Sequence, residues 1–163
     1  MMVLAVLAGP AAHADEYRFP DAASDALGPF VVAGELSLFA DNHHGSEKAW
    51  EGAKALAVTG IVTEGLKRLT RERRPNGKDL SSFPSGHASL AFAMATVIDK
   101  YQPNSGGAAY AVAAIISWSR VEVRAHRWHD VLAGALLGHY IAKQVTRDYP
   151  DSAPMALAFT VRW

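Results

Sequence analysis

Two apolar runs, Gly86 to Ile98 and Val131 to Ala142, set the terms on which this chain can fold. Each is shorter than the roughly 20 residues that cross a bilayer, so both must bury their side chains against other parts of the chain, as buried helices of a soluble protein. The longest uncharged stretch, Tyr101 to Ser119, is interrupted by the polar or helix-breaking residues Gln102 to Gly107, and its apolar part also falls short. No transmembrane span is expected. Peripheral contact with a membrane surface is compatible with this reading.

The order of elements follows from punctuation. Residues 15 to 46 mix Pro, Gly, Asp and Asn with brief apolar pieces and read as loops around one short helix near Val31 to Phe39. From Ser46, a plausible N-cap, the residues Trp50, Ala53, Ala57, Ile61, Leu66 and Leu69 recur at helical spacing and predict a long helix from Glu47 to Arg73. Pro75-Asn76-Gly77 is a turn, and Ser85 caps a helix that runs to Lys100. Pro103 to Gly107 breaks the pattern, Ala108 to Arg120 resumes it, and His126 to Thr146 forms a last helix stopped by Asp148-Tyr149-Pro150. Ala156 to Trp163 reads as a short strand or extended tail. With no repeat and no heptad run, the expectation is an all-α, compact single-domain helical bundle whose functional side chains project inward.

At 163 residues the chain suits one domain. It has no cysteine, which excludes disulfides, thiolate metal sites and cysteine nucleophiles. Met1 to Ala14 is a short apolar run ending in Ala12-His13-Ala14, like the small-x-small cleavage site of a secretory leader, although the usual positive n-region is missing. The expected division is a leader over 1–14 and one domain over 15–163, placed in the periplasm or secreted.

The net charge is zero but unevenly spread. Residues 1 to 66 carry three basic and nine acidic side chains, whereas residues 67 to 147 carry twelve and five. That local excess draws anions, while neutrality of the whole argues against nucleic acid as a partner.

The basic half contains three segments with the inventory of a phosphoryl-transfer site: Lys67 to Arg74-Pro75, Pro84-Ser85-Gly86-His87, and Ser119-Arg120 followed by His126 and Asp130. Phosphate-ester hydrolysis is so slow that no single group can catalyse it, so several cations must converge on one anion. Lys67 and Arg74 lie two turns apart and share a face if the helix continues that far, one giving a point charge and the other a bidentate fork. Ser85-Gly86 opens a helix, where unpaired backbone N–H groups face an anion and Gly86 lets it come close. His87 stands in that first turn as a proton donor for a leaving group. His126 and Asp130, four apart on a predicted helix, place a carboxylate to orient an imidazole whose other nitrogen attacks. Arg120 adds a second guanidinium. His43, His44, His129 and His139 read as surface or supporting residues. Metal binding by His126 and His129 is disfavoured without a third nearby carboxylate.

These three ordered segments resemble the motifs of the type 2 phosphatidic acid phosphatase (PAP2) superfamily, which includes bacterial class A acid phosphatases and vanadium haloperoxidases. Lys, six residues and Arg-Pro is met by Lys67 to Pro75. Pro-Ser-Gly-His is met by Pro84 to His87, and Ser-Arg, five residues, His, three residues and Asp by Ser119, Arg120, His126 and Asp130. The resemblance implies a helical bundle and a metal-independent phosphatase acting on phosphate monoesters, including lipid phosphates, through a phosphohistidine. It implies a phosphate pocket of Lys67, Arg74, Ser85, Gly86 and Arg120, with His126 as nucleophile, Asp130 orienting it, and His87 protonating the leaving oxygen and then activating water. No cofactor or metal is implied. Vanadate would fit the same pocket as an inhibitor, or as cofactor under the alternative of a haloperoxidase; a non-catalytic phosphate-binding protein is a further alternative. Glu122, Arg124, Arg127 and Trp128 depart from the small, Tyr and Pro residues more usual around the histidine, which bears on substrate preference.

Overall fold

The structure, a computed structural model, describes residues 18–146, so the leader-like residues 1–14 and the tail 156–163 lie outside the described part. Among the described residues there is no strand. Six helices follow in order: α1 (Arg18–Asp25), α2 (Leu27–Phe39), α3 (Gly45–Thr70), α4 (Gly86–Tyr101), α5 (Pro103–Glu122) and α6 (Trp128–Val145). The all-α expectation holds.

Helix α4 lies at the centre, packing most extensively on α6 and α5 and also on α3 and α2. Its composition explains the position. Ala88, Ala91, Ala93 and Ala95 are fully buried, and such short side chains let neighbouring helices approach closely from several sides. On α6 the complementary feature is Gly134 and Gly138, which face the carbonyl oxygens of Ser85 and Ser89; a Cβ at either would collide with backbone. One apolar cluster joins Met94, Ile98 and Ile116 with Phe30 and Val31 of α2, and a second joins Leu38, Ala55, Val97 and Ala142. Full burial of Met94 or Ile116 is worth roughly 1.5–3 kcal/mol each.

Four boundaries differ from the sequence expectation, each for a physical reason. The short helix expected near Val31 to Phe39 begins earlier, as α2, and the loop expected before it holds α1; both gain their stability from burying side chains such as Ala23 and Leu38 rather than from intrinsic propensity. Pro103 does not separate helices by a loop but begins α5 at its first position, where a missing N–H costs nothing. Helix α3 stops at Thr70 because Arg71 adopts a left-handed conformation (φ 47°, ψ 38°). Helix α6 starts at Trp128, so His126 precedes it.

No single helix among the described residues is long and apolar enough to cross a membrane, although Phe19–Asp25 and Leu27–Phe39 pass on length and composition as a pair bent by 42°. Several apolar side chains nevertheless face outward. Trp128, Leu132, Leu136 and Tyr140 recur every fourth residue along α6, each more than half exposed.

Candidate phosphate-binding active site

The three charged segments meet at one end of the bundle. Lys67 arrives on the last turn of α3, Arg74 on the loop that follows, Ser85 to His87 at the start of α4, Arg120 on the last turn of α5, and His126 and Asp130 around the start of α6. Their proximity registers electrostatically: Lys67, Arg74 and Arg120 all act on both His87 and His126.

Each cation is held by a neighbour that leaves part of it uncommitted. Lys67, buried, donates from Nζ to the Ser81 carbonyl at 2.6 Å. Arg74 does not share a helix face with Lys67, since α3 has ended; the loop carries it instead. There its Nε lies 2.9 Å from Asp79 Oδ1, its Nη2 donates to Ser81 Oγ at 3.0 Å, and its backbone N–H donates to the Asp79 carbonyl at 3.0 Å. Arg120 donates from Nη1 to Ser24 Oγ on α1, while its Nε is buried with no hydrogen-bond partner. Burial, and then the charge of Arg74, lower the proton affinity of both Lys67 and Arg120. Crowded cations with an orphaned donor are stabilised by an anion.

His126 is almost wholly enclosed, at 2% exposure. Its Nδ1 lies 2.7 Å from the Ser82 carbonyl, an acceptor only, so Nδ1 carries the proton and Nε2 keeps its lone pair. Burial first, and then Lys67, Arg74 and Arg120, push its pKa down to about 4, against the Ser82 hydrogen bond that raises it. The ring is therefore neutral at ordinary pH. Asp130 stands one step further back, its Oδ2 3.7 Å from Nδ1. That oxygen accepts from Ser82 Oγ at 2.6 Å and from the Arg127 N–H at 2.8 Å, so the carboxylate fixes the Ser82 loop and the start of α6. Direct orientation of the ring falls to Ser82, which the sequence did not single out. Asp79, Ser81 and Ser24 were likewise missed; only the Asp79-Leu80-Ser81 spacing, in which Asp79 accepts from the Ser81 N–H at 2.9 Å, was a readable turn signal.

His87 is half-buried, and its ring makes no hydrogen bond among the described residues. Burial, then Arg120, Arg74 and Lys67, lower its pKa to about 4. Ser85 is the N-cap of α4, fully buried, accepting from the Ala88 N–H at 3.5 Å, which leaves the first backbone N–H groups of α4 rather than its hydroxyl for a ligand. A Cβ on Gly86 would make only ordinary contact with Lys67 Cε at 3.8 Å, so the surrounding protein does not require a glycine there. What the missing side chain leaves is room beside Lys67. A cavity of about 350 Å³ lies on the outer side of Lys67, lined by Glu64, Lys67, Arg68, Arg71, Leu80 and Ser81, and neither histidine nor Arg74 or Arg120 belongs to its wall.

Among the other histidines, His139 is inside the bundle at its opposite end, with Nδ1 3.0 Å from both Thr96 Oγ1 and Tyr110 OH. His44 pairs with Glu47 at 2.9 Å on the surface.

A family model described as the PAP2 superfamily matches residues 48–153. Lipid phosphate phosphatase 1 of Arabidopsis thaliana is 30% identical over 141 residues, covering 60% of this chain and 43% of that protein. Lipid A 1-phosphatase of Porphyromonas gingivalis is 31% identical over 130 residues, covering 70% of this chain and 29% of that protein. The chain thus spans less than half the length of either relative. No solved structure matches it.

Proposed function

The chain belongs to the PAP2 superfamily, and on that premise we propose that it hydrolyses phosphate monoesters, with lipid phosphates as the substrate class, through a phosphohistidine on His126 and without a metal ion. One observation carries the reading: Lys67, Arg74 and Arg120 lie near enough to act on two imidazoles, one of which is held neutral with its Nε2 lone pair free.

The chemistry follows from that arrangement. The three cations and the N-terminus of α4 bind the phosphoryl oxygens and take the neutralising role that metal ions fill elsewhere. Nε2 of His126 attacks phosphorus as the ester P–O bond breaks, and the leaving oxygen takes a proton from His87. The bound dianion, absent from the free site, restores the proton affinity that burial and neighbouring cations have removed from His87. Neutral His87 then takes a proton from water, whose oxygen displaces His126 and releases phosphate. The lipid preference draws support from the named activities of the two relatives and from the exposed row that begins at Trp128, two residues past His126. The leader-like residues 1–14 support an exported enzyme.

The test is chemical. Wild-type protein treated with EDTA and mixed with phosphate-labelled phosphatidic acid, then quenched in alkaline denaturant, should carry base-stable label mapping to His126. Turnover with no labelled histidine, or turnover only after a divalent ion is restored, refutes the mechanism.

A further inference from the structure

We propose that Glu72, His129 and Asp130 form a binding site for a divalent transition-metal ion, and that its occupancy restrains the catalytic histidine. These residues come from different parts of the chain, Glu72 from the loop after α3 and the other two from the first turn of α6. They offer one ligand atom each, all within 4.8 Å of one another. His129 Nε2 lies 3.3 Å from Glu72 Oε1 and 3.0 Å from Asp130 Oδ1.

Asp130 supplies the independent sign of a ligand. The residue is fully buried, its Oδ2 is committed to Ser82 Oγ and the Arg127 N–H, yet its Oδ1 has no hydrogen-bond partner. A buried anionic oxygen without a donor is costly. A proton on His129 Nε2 can serve Glu72 but leaves Asp130 Oδ1 unserved, because one N–H points one way. A cation between the three atoms satisfies all of them. The two spacings to His129 agree: with metal–ligand bonds of about 2.0–2.1 Å, adjacent ligand atoms sit about 3.0 Å apart in octahedral and about 3.4 Å apart in tetrahedral coordination.

The donor set decides the class of ion. Two carboxylates and an imidazole favour borderline ions such as Zn²⁺, Mn²⁺ or Co²⁺ over Mg²⁺ or Ca²⁺, and three protein ligands leave positions for water. Two carboxylate charges balance the ion. Arg127, whose Nη1 donates to Glu72 Oε1 at 2.7 Å and to the Arg73 carbonyl at 3.0 Å, competes with it, and the ion must displace the first of these contacts.

The regulatory consequence rests on the reaction proposed above. Asp130 Oδ2 is 3.7 Å from His126 Nδ1, so its negative charge favours the cationic ring of a phosphohistidine. A metal ion on Oδ1 draws that charge away and slows turnover.

The experiment uses the full chain after chelation and has two arms. In the first, Zn²⁺ alone is titrated calorimetrically and Co²⁺ by its visible absorption. One ion per chain is expected, with affinity reduced at least about 10-fold in both His129→Ala and Glu72→Gln, and near-UV circular dichroism reports whether each variant is folded. Absence of stoichiometric binding, or unchanged binding in both folded variants, overturns the site. In the second arm, Zn²⁺ should inhibit hydrolysis of p-nitrophenyl phosphate by wild type while the two variants, equally active without metal, resist it. Binding without inhibition overturns the coupling to His126. A protein that binds the ion but hydrolyses nothing defeats the proposed reaction instead and leaves the site standing.

Discussion

His126 and His139 sit at opposite ends of the same bundle, and each engages a partner through Nδ1. The partners differ in kind. At the first end the Ser82 carbonyl can only accept, so the tautomer is settled and Nε2 is left with a lone pair. At the second, Thr96 Oγ1 gives its proton to the Phe92 carbonyl and is left to accept, whereas Tyr110 OH can donate or accept, so the tautomer follows the tyrosine hydroxyl. The surroundings differ too. Lys67, Arg74 and Arg120 crowd His126, whereas the cavity of about 550 Å³ beside His139 sets Lys100 and Lys143 against Asp99. An acceptor-only partner and unbalanced positive charge therefore distinguish the first imidazole from the second.

The contrast should show most strongly in turnover. His126→Ala is expected to lower kcat for p-nitrophenyl phosphate by about 10³-fold or more, while His139→Ala stays within about threefold of wild type in the same steady-state assay. Similar losses at both positions would erase the distinction.

Acid should act on the first end through stability. The pKa of His126 falls from 6.5 when unfolded to about 4 in the fold, so between those values the unfolded chain takes up a proton that the folded one refuses. Stability is complete above pH 6.5 and declines as pH drops toward about 4, by up to about 3 kcal/mol for this ring. Urea midpoints measured from pH 7 to pH 4 should follow that slope, and His126→Gln should flatten part of it. A slope identical in the variant would mean that the ring titrates normally.

Between the two ends lies the close contact of α4 with α6. Gly138→Ala, whose Cβ would meet the Ser89 carbonyl, should cost roughly 1–3 kcal/mol and disturb both histidines. Gly60→Ala, with nothing near its Cβ, should instead stabilise by roughly 0.4–1 kcal/mol. Thermal denaturation separates the two outcomes.

The helical class was legible because apolar residues recur at helical spacing between turn residues, and the gathering of Lys67, Arg74, His87, Arg120 and His126 was expected from their three motifs rather than from helix boundaries. What was not legible depends on contacts distant in sequence. Arg74 seemed to need a helix to reach the site, yet an ion pair with Asp79 takes it there after α3 has ended. The approach of His129 to Glu72 was hidden because the two lie 57 residues apart. Helices α1 and α2 carry Gly and Pro that argue for loops, and packing against α3, α4 and α5 overrides them.

Ser82 gives its carbonyl to His126 and its hydroxyl to Asp130, and these gifts answer differently to mutation. Every amino acid brings the same carbonyl, so exchanging residue 82 can weaken the hold on the carboxylate without releasing the ring. Evolution can therefore vary this position and keep the imidazole in place, which makes its most consequential atom one that no comparison of side chains would single out.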